Sequence, residues 1–350
     1  MRILHLAAGN RWTGAAAPAF AEVEALRASG VDAHYAYVGR YKLEKKIGHL
    51  DFAHARIEKS QNPAAFARTV DALSSLGKFD FVHAHLTYDH LLARFVARRV
   101  GALVARTFHA RRAIRNDPFT RSLIRSTRAL FVVNATFEVR ARDVVFTPPP
   151  LDHRQFTLHG PDARALYDLD RDTPLVTVIG KLSRGRGFET ALRAFASIHH
   201  AQPRARMMII GHGEHCPVLE SLARDLGITD HVIWAGYHED DLAEHYRASD
   251  VLLFTARGSD EGHRAILEAM ACGVAPVVAP IDGVHALLRG FETDSIAADD
   301  SPDAVAARAL ALLPHVRTLR ESFGRHSRQF GYTVAAERLI ETYQLAKTDS

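Results

Sequence analysis

Two stretches of this 350-residue chain combine glycine, charge and spacing in ways that chemistry can use. The first, "GSDEGHRAILEAMACG" (Gly258–Gly273), sets two adjacent acids, Asp260 and Glu261, ahead of a helical run that stops at Gly273. Asp260 suits a helix cap, where a carboxylate accepts from the orphan N–H groups of the first turn. Glu268 falls within the run between Leu267 and Ala269. That segment is too apolar for a solvated face, so the carboxylate requires partners. Sugar or ribose hydroxyls fit, since an ionised carboxylate only accepts hydrogen bonds. The second stretch, "GKLSRGRGFETALRAF", carries Lys181, Arg184 and Arg186 in a glycine-bearing loop between a strand ending at Gly180 and a helix starting near Phe188. Cations beside a helix start suit a diphosphate. A hydrogen bond to a charged group contributes about 1.5 to 3 kcal/mol, so two such cations would supply much of a micromolar affinity. A solvated basic loop is the alternative.

His109 closes the run "ALVARTFH", at the carboxyl edge where doubly wound sheets place ligands. A protonated imidazole there would stabilise a leaving diphosphate, although with 21 histidines in the chain no single one stands out by type. His83 and His85 in "DFVHAH" read as strand-end structural residues. After His109 comes a basic series, Arg111, Arg112, Arg115, Arg121, Arg125 and Arg128. The last three share one helical stripe, with Phe119, Leu123 and Leu130 elsewhere around it. Such a stripe either is solvated or faces anionic lipid or a phosphorylated acceptor. Asp240–Asp241 and Asp299–Asp300 read as helix-start and loop residues, and no DxD motif with supporting ligands suggests a metal.

These residues need a scaffold. Short β-rich runs alternate with helical patterns along the chain: "RILHLA", "DAHYAYV", "FDFVHAH", "ALVARTFH" and "RALFVVN", then "PLVTVIG", "RMMIIG", "HVIWAGY", "DVLLFTA" and "APVVAP". The alternation predicts an α/β fold of two doubly wound, Rossmann-like domains. Pro148–Pro150 fit neither a helix interior nor a central strand and place the boundary: domain 1–150, domain 151–332, and a C-terminal helix of about 333–350 that packs back on the first.

Composition excludes several classes. A hydrophobic share of 47% with 24% charge belongs to a globular protein rather than a disordered one. Cys216 and Cys272 cannot build a disulfide framework, and no short Cys/His spacing suggests zinc. The net charge of +4 comes with acids interspersed among the basic residues, against a nucleic-acid surface. The N-terminus lacks a leader-like apolar core and no run approaches a membrane span. The expected location is cytoplasmic, with peripheral contact to the inner face of the membrane through the arginine series as an option.

The Lys181 loop, "MMIIGHGEH", "VIWAGY", "ASDVLLFTA" and "ILEAMACGVAPVVA" together resemble family 4 of the retaining glycosyltransferases, along nearly the whole chain. The resemblance implies a GT-B fold, two Rossmann-like domains facing a cleft, and transfer of a sugar from a UDP- or GDP-linked donor to an acceptor hydroxyl of a glycan or glycolipid. It implies no cofactor and no obligatory metal. Lys181 and Arg186 take the diphosphate, Glu268 the ribose, and His109 the reacting centre. Gly14, with Gly9, is similar to the family's glycine-rich loop near the phosphates. The family's first acid stands eight positions before the second, which selects Asp260 over Glu261 unless a deletion has shifted the loop. The aromatic–glycine pair that follows is replaced by Gly262, His263 and Arg264, of which His263 and Arg264 are further diphosphate contacts. A sugar-nucleotide epimerase and an inactive binding subunit of the same architecture are the rival readings.

Overall fold

A computed structural model describes residues 1–9, 12, 15–39, 42–140, 142–256 and 262–348. Contacts divide them into two compact units. The first comprises Met1–Leu151 and Phe330–Ser350 with Ser259–Gly262, the second Asp152–Gly258 with His263–Gln329.

The first unit is built on β1 (Arg2–Ala7), β2 (Asp32–Tyr37), β3 (Ala53–His54), β4 (Phe81–Ala84), β5 (Leu103–Phe108), β6 (Ala129–Val132) and β7 (Val145–Phe146). The described strands are parallel in the order β3-β2-β1-β4-β5-β6-β7. The second unit carries β8 (Leu175–Ile179), β9 (Arg206–Ile210), β10 (Val232–Gly236), β11 (Val251–Phe254) and β12 (Ala275–Val278), parallel in the order β10-β9-β8-β11-β12. The inner strands read as near-continuous apolar runs because helices cover both faces. Edge pieces β3 and β7 hold only two residues each, too short to show as a pattern in sequence.

Local chemistry starts and stops the helices. Asn62, Asp117 and Ser301 cap helices Pro63–Ser74, Pro118–Arg125 and Pro302–Leu312, each with proline in the first turn. Gly101, at φ 74°, ends helix Thr87–Val100. The division between units falls at Leu151–Asp152, just past three buried prolines. Helix Tyr332–Thr348 belongs to the first unit, where it packs on helix Ala16–Ala28 and buries Tyr343 against Phe81 and Phe131. Lys347 Nζ reaches Asp80, 2.6 Å away.

One expected element differs. Helix Pro118–Arg125 stops before Arg128, whose N–H donates to the Val104 carbonyl as the chain enters β6. Arg121 and Arg125 are exposed on the helix and Arg128 is exposed beyond it, so the arginines do not form a single helical stripe. Among the described residues, no helix is long and apolar enough to cross a membrane.

Candidate functional site

In each sheet the strand order reverses between two neighbours, β8 and β11 in the second unit, β1 and β4 in the first. The crossovers on either side of such a point leave in opposite directions, so the loops at the strands' carboxyl ends part and leave room for a ligand.

In the second unit the loop after β8 rests on glycines. A Cβ on Gly211 would sit 1.9 Å from the Gly180 carbonyl oxygen, and one on Gly213 would sit 2.0 Å from that of Leu182. The Leu182 N–H donates to His212 and the His215 N–H to Leu182, fastening the loops after β8 and β9 together. Gly187, at φ 78°, opens helix Phe188–Ala201. A Cβ there would collide with the Thr255 carbonyl just past β11, and the Thr255 hydroxyl donates to Gly187's carbonyl at 2.8 Å. The "GHG" of Gly211–Gly213 was legible as a strand end; its work of letting two loops touch was not, because that needs the partner loop.

Lys181 and Arg186 stand in this loop. Lys181 is exposed and pairs with Glu214 at 3.4 Å. The Arg186 guanidinium folds along the loop, 3.8 Å from where a Gly180 Cβ would lie. Glu189, in the helix's first turn, is bound by His215 at 2.6 Å.

Glu268 is buried in helix Arg264–Ala271. The sequence asks for partners, and the protein itself supplies two. The Tyr246 hydroxyl donates to Oε2 at 3.1 Å, and Arg264 Nε pairs with Oε1 at 3.0 Å, one helical turn away. Burial, then the adjacent carboxylate, pushes the Tyr246 phenol well above its ordinary range, so it stays a donor. Arg264, expected on a phosphate, also orients Glu268 through Nε. The residue before this helix is His263, not Asp260, and at φ 50° with no side-chain cap bond. His263 Nε2 lies 2.8 Å from the Asp282 carbonyl. A carbonyl only accepts, so this nitrogen carries a proton, while buried Nδ1 has no hydrogen-bond partner among the described residues. Gly14, Asp260 and Glu261 lie outside the described residues.

In the first unit, His109 follows β5 and its Nε2 lies 3.0 Å from His85 Nδ1. Burial, then the Arg106 charge, holds its pKa down at about 3. The ring is therefore neutral at physiological pH, where the sequence suggested a cation. Arg106 itself is fully buried, stacked over Phe108, with Nε and Nη1 unpartnered among the described residues. Asp89 accepts from the Ala8 and Leu86 N–H groups at 2.9 and 2.8 Å, fixing the ends of β1 and β4. Burial raises its pKa to about 6. Neither Arg106 nor Asp89 announces itself in sequence, since each lies in an ordinary strand or helix pattern. Asn134, in the sequence Asn134-Ala135-Thr136, is buried and accepts from the Thr136 N–H and hydroxyl, a local turn.

Residues 161–330 match the family described as "Glycosyl transferases group 1", which spans the glycine-built loop and Glu268. Over this segment the chain is similar to glycosyltransferases of the GT4 type. Among relatives, the D-inositol 3-phosphate glycosyltransferase of Rhodococcus erythropolis is 26% identical, over 77% of this chain and 69% of its own. The GDP-mannose-dependent alpha-(1-6)-phosphatidylinositol monomannoside mannosyltransferase of Mycolicibacterium smegmatis is 30% identical, over 49% of this chain and 47% of its own. Anabaena Alr3699/HepE, solved in complex with UDP and glucose, superposes with a TM-score of 0.79 at 15% identity, over 98% of this chain and 99% of its own. The chain therefore has the GT-B fold, two Rossmann-like α/β domains.

Proposed function

We propose that this glycosyltransferase takes a sugar from a nucleoside-diphosphate donor, UDP- or GDP-linked, and transfers it with retention to an acceptor hydroxyl of a glycolipid or glycan in bacterial cell-surface synthesis. The observation that carries this reading is the loop Gly180–Gly187, backed by glycines at the switch point of its sheet, with Lys181 and Arg186 beside a helix start. A diphosphate meets there the positive end of a helix and two cations, and departing charge is stabilised without a metal. Lys181 exchanges its weak exposed pair with Glu214 for a phosphate oxygen. Glu268, held by Tyr246 and Arg264, takes the ribose hydroxyls. Asp260 binds the donor sugar, with Glu261 beside it.

His109, being neutral, serves the reacting sugar or phosphate as a hydrogen-bonding group, and gains a proton only when donor charge arrives. The names of two relatives, D-inositol 3-phosphate glycosyltransferase and phosphatidylinositol monomannoside mannosyltransferase, support an anionic or lipid-linked acceptor. Exposed Arg111, Arg112, Arg115, Arg121, Arg125 and Arg128 with exposed Phe119 make the first domain the acceptor side and the part that meets an anionic membrane surface. The product's anomeric proton in NMR tests the reaction: the donor's configuration is expected, and the opposite one contradicts retention. Sedimentation with anionic vesicles at low salt tests the surface, with binding expected to fall as salt rises.

A further inference from the structure

Below the carboxyl ends of β1 and β4, on the face covered by helices Ala16–Ala28 and Tyr332–Thr348, four side chains converge that neither donor nor acceptor chemistry uses. His5 and His83 are register partners on adjacent parallel strands. His85 lies two residues along β4's path on the same face, its ring stacked on both, and Glu22 descends from helix Ala16–Ala28. All four are buried, and one ligand atom from each falls within 4.8 Å of the others. The geometry centres on Glu22 Oε2. It stands 3.9 Å from His5 Nδ1, 3.9 Å from His83 Nδ1 and 3.8 Å from His85 Nε2, yet makes no hydrogen bond, and His5 Nε2 also lacks a partner among the described residues. A carboxyl proton could close only one of those gaps.

We propose that His5, Glu22, His83 and His85 form a buried structural site for a divalent transition cation of the zinc class. Three imidazole nitrogens and one carboxylate oxygen are a zinc-type ligand set. With bonds of about 2.0–2.1 Å, a tetrahedral ion needs ligand atoms about 3.3 Å apart. The gaps to Glu22 Oε2 lie above that value and the 2.9 Å between His5 Nδ1 and His85 Nε2 below it, so shifts of about half an ångström close the shell. Supporting groups are present, as a metal histidine requires. His83 Nε2 lies 2.8 Å from the Thr107 hydroxyl, which also bonds Glu22, and His85 Nδ1 meets His109. Tyr343, 2.6 Å from His83 Nδ1, competes for that lone pair and yields it when the ion binds. Binding an ion gives the unpartnered Glu22 Oε2 a partner and gathers the four side chains into one shell. An ion there ties β1, β4 and helix Ala16–Ala28 together directly beneath His109. Full burial means that it enters as the chain folds.

Expression of the full chain in zinc-supplemented medium, followed by chelator washing and elemental analysis, tests this. About one zinc per chain is expected, falling below about a tenth in Glu22→Gln and His85→Gln and unchanged in Tyr343→Phe. His238→Gln, in the half-exposed cluster His238, Asp241 and His245, leaves the content unchanged. No metal in the wild type, or metal that follows His238→Gln and survives Glu22→Gln, overturns the assignment. Where a ligand variant does not fold, wild type refolded with cobalt(II) decides. The intense visible band of a tetrahedral nitrogen-rich site is expected, and the weak spectrum of the hydrated ion overturns the proposal.

Discussion

Glu268 shows how a residue-level expectation was sharpened by its neighbours. The sequence marked it as a carboxylate in need of donors, and Tyr246 and Arg264 turn out to be two of them. They hold its oxygens in place ahead of any ligand, which is the pre-organisation that binding rewards. The count of eight positions from Asp260 to Glu268 was legible because it needs only the chain. His109's neutral state was not, because it depends on Arg106 and on burial created by strands far apart in sequence. Nor was the partner of His263 Nε2 legible, the Asp282 carbonyl nineteen residues later. The two acids are separable by kinetics: Asp260→Asn is expected to lower kcat more than Glu261→Gln does, and the reverse order would show that Glu261 occupies the first acid position.

At the scale of elements, the loops after β8 and β9 touch so closely that glycine is the only residue the contact admits. Gly211→Ala sets a Cβ 1.9 Å from a carbonyl oxygen at a φ of 135°, and backbone cannot yield as a flexible side chain would. We expect a loss of about 2 kcal/mol or more, a fall in Tm of roughly 4–8 °C, with weakened nucleotide binding, read by calorimetry. An unchanged Tm would mean the loops separate at little cost. Helix Thr87–Val100 carries a second test. Its buried His90 bonds Thr127 at 2.7 Å, and burial lowers its pKa from 6.5 to about 3. Between those values the unfolded chain binds a proton that the folded one refuses, so stability falls as pH drops from 6.5 towards 3. His90→Gln keeps a polar group near Thr127 and is expected to flatten the pH dependence of unfolding by about 1.4 kcal/mol per pH unit in that window. An unaltered slope would place the acid sensitivity elsewhere. Apolar runs made the long inner strands legible, whereas the two-residue edges and the early stop of helix Pro118–Arg125 depend on neighbours rather than on pattern.

Over the whole molecule, the two doubly wound units were readable from the alternation of strands and helices. The return of the last helix to the first unit was readable only as an expectation, since it is decided by Tyr343 and Lys347 finding Phe81 and Asp80. The fold alone supports many chemistries; the donor assignment rests on the Gly180–Gly187 loop and on Glu268. Calorimetric titration of UDP, GDP and ADP into the wild type, Arg186→Ala and Glu268→Gln tests that assignment most directly. The wild type is expected to bind one uridine or guanosine diphosphate at micromolar Kd, and each variant to bind it about tenfold or more weakly, a loss of about 1.4 kcal/mol. No binding of any nucleotide by the folded wild type, or equal binding by all three proteins, would contradict it.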